Sequence, residues 1–212
     1  MGDHFSRRFV LGGALAAAGV GLLAPGRAVA QQAGLWNPEV QEKYSRFMVE
    51  FAKAYDKPID CADLALKGLV QFAHEQRLPV RLFYFARSGG RTKRQWFTFK
   101  PGDDNDRAAA LFMRNLGAAN VIDNTAQIPP GELKPGDLIM TRFQDVDSTG
   151  HTRVVVRSVF DDKQRDWLVG WMQGSLPPIV PEEVEMFYGE IPSERGVPTA
   201  RRWRFGQFIH AG

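Results

Sequence analysis

Two runs, "HTRVVVRSVF" (His151–Phe160) and "DWLVGWMQGS" (Asp166–Ser175), constrain the fold most. Both are rich in β-branched and aromatic residues, and the polar Asp161–Arg165 break between them predicts an antiparallel hairpin. Upstream, "PEVQEKYSRFMVEFAKAY" places Val40, Tyr44, Phe47, Met48, Phe51 and Ala52 on one helical face, with Pro38 in the first turn. A second helix opens at Cys61 and ends near Leu78–Pro79. "VRLFYF" and "RQWFTFK" flank Ser88–Gly90 as a hairpin, and Asp103–Gly117 reads as a third helix, acidic at its start and stopped by glycine. In "LKPGDLIMTRF" a Pro135–Gly136 turn feeds a strand. The tail from Leu176 is proline-rich and loop-like, with a late strand at "RRWRFGQFI". Helices first and an antiparallel sheet after is an α+β order.

The first thirty residues carry targeting rather than fold. Arg7 and Arg8 precede an Ala/Gly-rich run, Phe9–Ala24, and "AVA" at Ala28–Ala30 supplies a small-residue cleavage pattern with Gln31 as the mature start. The paired arginine resembles the twin-arginine export signal of bacteria, which implies a periplasmic or secreted protein. The apolar run is short and dilute for a membrane span, so no stable span is expected once the signal is removed. Residues 31–212 then form one domain, with 24 basic residues against 23 acidic ones. A net charge of +1 gives no indication of nucleic-acid binding by bulk charge.

One cysteine in an exported chain can make no internal disulfide. Leu64, Ala65, Gly68, Leu69, Phe72 and Ala73 follow Cys61 at helical spacing, so the thiol shares the inward face, and Gly68 is expected to admit a strand closely. A buried structural cysteine fits that pattern. A helix N-terminus also favours thiolate and can bind an oxyanion, while an Asp60 N-cap opposes the thiolate.

A nucleophilic thiol needs a base. His4 leaves with the signal. His74 lies thirteen residues along the Cys61 helix, roughly 20 Å away, on its polar face. His210 lies near the C-terminus, where fraying is usual, and is kept only as an outsider. That leaves His151, at the start of the most strand-like run. With the hairpin turn centred on Asp162–Gln164, His151 falls opposite Gln173 or Ser175. Gln173 can accept from the imidazole and set its tautomer. Asp166 would lie opposite Ser158–Phe160, about 25 Å along the strand. Arg153 shares the His151 face and either holds a substrate carboxylate or reaches solvent. The histidines and the cysteine are too scattered to suggest a metal site, and no cofactor is expected.

"DCADLA" at a helix start, then "ELKPGDLIM", then "GHTRVVV", resembles the ordered signature of NlpC-type and CHAP-type cell-wall hydrolases of the papain-like cysteine fold. The resemblance implies N-terminal helices, with the cysteine at a helix N-terminus packed on a small antiparallel sheet. It implies Cys61 as nucleophile, His151 as base and Gln173 as orienter, with Tyr55 assisting an oxyanion site. The implied substrate is a peptide or amide bond of the cell wall. Asp63 replaces the usual small residue, the glycine-rich stretch before the cysteine is missing, and about 90 residues separate Cys61 from His151. A thiol acyltransferase or transglutaminase-like enzyme with the same dyad, and a silent envelope binding domain of the same fold, are the alternatives.

Overall fold

The computed structural model describes residues 35–88, 91–144 and 149–209. The segment read as an export signal and His210 lie outside the described residues.

Helix α1 (Pro38–Ala54) starts where Asn37 accepts a hydrogen bond from the Val40 backbone N–H at 2.9 Å. Its buried stripe is Tyr44, Met48 and Ala52. Helix α2 (Cys61–Glu75) opens on Asp60, whose carboxylate accepts from the Ala62 N–H at 2.8 Å. This helix buries Ala62, Leu66 and Val70 besides the predicted stripe, because α1, the sheet and a further helix all pack on it. Gly68 faces α1 rather than a strand: a Cβ there would fall 2.5 Å from the Met48 sulfur. The third predicted helix is α3 (Asn105–Asn115), and a short helix not predicted from the sequence, α4 (Ala118–Asp123), follows Leu116–Gly117. Asp104 caps α3 by accepting from the Arg107 N–H at 2.7 Å.

Strands β1 (Val80–Ser88) and β2 (Arg91–Phe99) make a separate two-stranded hairpin. The main sheet contains β3 (Thr125–Gln127), β4 (Leu138–Arg142), β5 (Gly150–Asp161), β6 (Asp166–Gln173), β7 (Glu182–Phe187) and β8 (Pro198–Trp203). Its order is β3-β8-β4-β5-β6-β7, with every pairing antiparallel. The tail is therefore less loop-like than its prolines suggest. It supplies β7 at one edge and sends β8 between β3 and β4. The Pro135–Gly136 turn, with Gly136 at φ +85°, feeds β4, and Asp137 beside it is gripped by Arg202 of β8 through two hydrogen bonds of 2.8 and 2.7 Å.

The sheet faces divide the core. Leu138, Met140, Val154 and Met172 pack under the helices, whereas Ile139, Val155, Val169, Trp171 and Ala200 form a smaller cluster on the other side. Among the described residues no helix is long and apolar enough to cross a membrane. The architecture is α+β.

Candidate active site

The loop before α2 is tied to the end of β6. Ser175 donates its backbone N–H to the Ile59 carbonyl at 3.3 Å, and Ile59 donates to Ile179 at 2.9 Å. Gly174 makes the approach possible, since a Cβ there would lie 2.3 Å from the Ile59 oxygen. This latch puts the start of α2 beside the starts of β5 and the end of β6. The result is a cleft of about 470 Å³ whose walls include Asp60, Cys61, Phe143, His151, Ser175 and Arg195. Cys61 and His151, 90 residues apart in sequence, share it.

The imidazole is held by Gln173, whose Oε1 lies 3.0 Å from His151 Nε2. Two further bonds decide the orientation of that amide. Trp171 donates its indole N–H to the same oxygen at 3.0 Å, and the Gln173 NH₂ donates to a Glu182 carboxylate oxygen at 3.0 Å. An indole can only donate and a carboxylate can only accept, so oxygen must face Trp171 and nitrogen must face Glu182. Nε2 of His151 then has an acceptor before it and must carry the proton. The neutral ring is the Nε2–H tautomer, with Nδ1 left as the proton acceptor.

The register that brings Gln173 here differs from a plain hairpin. Asp161 pairs with Asp166, a turn centred half a residue later than Asp162–Gln164 implies. Alone, that offset would turn Gln173 to the opposite face of the sheet. A bulge between Val155 and Arg157 restores the parity, so Val155 pairs with Trp171 and Gln173 stays on the His151 face, reaching it diagonally. Asp166 is remote from the cleft: it lies opposite Asp161 and accepts from the Gly189 N–H at 2.9 Å.

Burial and charge set the protonation states. The Cys61 thiol is only 6% exposed, and its pKa is pushed up to about 12, first by burial and next by the Asp60 carboxylate. The Thr152 and Ala62 backbone N–H groups pull it down, but by less. The helix N-terminus therefore does not yield the lowered thiol pKa expected from sequence, because desolvation and the capping carboxylate outweigh it. Burial lowers the His151 pKa below its ordinary 6.5, aided by the Arg153 charge and opposed by the Gln173 hydrogen bond and by Asp60. Near neutral pH the resting pair is thiol and neutral imidazole. Asp63, in the first turn of α2, is raised to about 6 by burial and by Asp60.

The structure separates the other two candidates from the cleft. Tyr55 packs 5.6 Å from the Phe51 ring and lies under the Lys67 ammonium at 5.4 Å, with no place in the cleft wall. Arg153 is half-buried and does not line the cleft: it donates to Thr141 Oγ1 at 3.1 Å and lies over the Trp171 ring. Sequence reasoning missed Trp171, Glu182 and Gly174. Glu182 was hidden because β7 was read as loop. Alternation along β6 puts Trp171 two residues before Gln173 on one face, and that signal was available. No protein-family model, curated protein or solved structure matches this chain.

Proposed function

We propose that this chain is an exported cysteine hydrolase of papain-like, NlpC- or CHAP-like type, cleaving an amide or peptide bond of cell-wall peptides. One observation carries the reading: the Trp171–Gln173–Glu182 arrangement dictates an Nε2–H imidazole in the cleft that holds the only cysteine. A structural histidine needs no such three-way control of its partner.

In the proposed reaction, Sγ of Cys61 attacks the carbonyl carbon while Nδ1 of His151 takes the thiol proton, since no thiolate is stored in the resting site. Backbone N–H groups at the start of α2 hold the oxyanion. The imidazolium, steadied by Gln173 Oε1, returns its proton to the leaving amine as the C–N bond breaks. Water, deprotonated by His151, then splits the thioester to a free acid and restores the thiol.

Incubating the mature protein with peptidoglycan fragments and weighing the products by mass spectrometry tests this. New free acid and free amine, absent with Cys61→Ala, are the expected result. Amine exchange without free acid would indicate acyl transfer. A silent binding domain is the second reading, favoured by the buried thiol. Fragments bound but left intact, with Cys61 unlabelled by iodoacetamide until the protein is denatured, would establish it.

A further inference from the structure

The β1–β2 hairpin stands outside the main sheet, and its composition differs from that of the remaining chain. From Arg77 to Gly102 there are seven basic residues and no acidic one. The whole chain is +3, so everything outside this stretch nets −4. The net positive charge is concentrated in this stretch of the chain.

Alternation gives the hairpin two faces. Val80, Leu82 and Phe99 point into the core. The other face carries Arg81, Phe83, Phe85, Arg94 and Trp96, paired as Phe83 with Trp96 and Phe85 with Arg94. Phe85 and Trp96 are 45% and 37% exposed. The Arg94 guanidinium sits 4.5 Å over Phe83 and 5.6 Å over Phe85, while Arg81 lies 4.2 Å over Trp96. Phe83 meets Trp96 edge-on at 5.0 Å.

We infer that this face is a docking surface for an anionic phospholipid bilayer, bound peripherally. Exposed Trp and Phe suit the headgroup boundary, and clustered basic residues are attracted to anionic lipid. A guanidinium stacked on a ring keeps its donor edge in plane for phosphate oxygens, which suits Arg94 to a headgroup. Single-stranded nucleic acid would also use aromatics and arginines, but it needs open ring faces for base stacking. Here Arg81 and Arg94 already cover the faces of Trp96 and Phe83. The surface is independent of the cleft chemistry and would hold the protein at a membrane whatever bond it cleaves.

Co-sedimentation of the mature protein with phosphatidylglycerol-rich vesicles, phosphatidylcholine vesicles and an oligothymidine tests this. Binding to the anionic vesicles should weaken roughly tenfold or more in Arg94→Glu and again in high salt. Phe85→Ser, at an exposed position, should weaken it without changing thermal unfolding, which keeps the test valid if Arg94→Glu misfolds. Equal binding to both vesicle types, no binding to either, or tighter binding to the oligothymidine would overturn the inference.

Discussion

Cys61 and His151 face one cleft from walls built differently. The cysteine wall is a helix end pressed against the sheet, nearly dry, with a carboxylate one residue before the thiol. The histidine wall is a strand whose neighbours form a chain of directed hydrogen bonds from Trp171 and Glu182 through Gln173. The first wall raises a pKa and the second lowers one, so both groups are kept neutral. On the proposed reaction, proton transfer would therefore accompany attack, unlike an ion pair that carries its thiolate at rest.

The largest expected effect comes from removing either wall's reacting group. On the proposed hydrolysis, Cys61→Ala should abolish turnover and His151→Ala should lower kcat by about 10²–10⁴-fold, as loss of a general base does. Steady-state kinetics on a released-amine assay measures both. Retained turnover in Cys61→Ala would place the chemistry elsewhere.

The walls also make opposite contributions to stability. The folded chain keeps the Cys61 proton to about 12, whereas the unfolded chain loses it near 9. Stabilisation from this group is thus complete below pH 9 and lost as pH rises toward 12, to a limit of about 4 kcal/mol. Denaturant unfolding across that window should show a steep loss in the native protein and a shallower one in Cys61→Ala. For His151, whose folded pKa lies below 6.5, the contribution is present above pH 6.5 and lost as pH falls through the lowered value. In Asp60→Asn the pH inflection of iodoacetamide labelling should move down, because a raising charge is removed from the thiol. No movement would leave burial as its sole cause.

Next in size is the orienter. Gln173→Ala should lower kcat by about 10- to 100-fold with little effect on folding, since it frees the tautomer and leaves the nucleophile in place. Asp166→Ala should leave kcat unchanged. Smallest is Glu182→Gln, which lets the Gln173 amide flip: a kcat decrease of about two- to tenfold fits the loss of one directed hydrogen bond. If Glu182→Gln costs as much as Gln173→Ala, the carboxylate has a direct part in the reaction and the wall needs redrawing.

Much of this was legible in local patterns. Cys61 opens its helix because Asp60 is a capping residue and the apolar stripe begins there. The long β5–β6 hairpin follows from its β-branched runs, and the turn before β4 from Pro135–Gly136. Those features depend on neighbours within a few residues, which a sequence displays directly. Only the tertiary structure decided what depends on distant packing. The bulge between Val155 and Arg157 settles which face Gln173 occupies, and β7, drawn from a proline-rich tail, brings Glu182 to it. The thiol pKa belongs to the same class. A helix end favours thiolate by itself, but burial is a property of everything packed around Cys61, and here burial prevails.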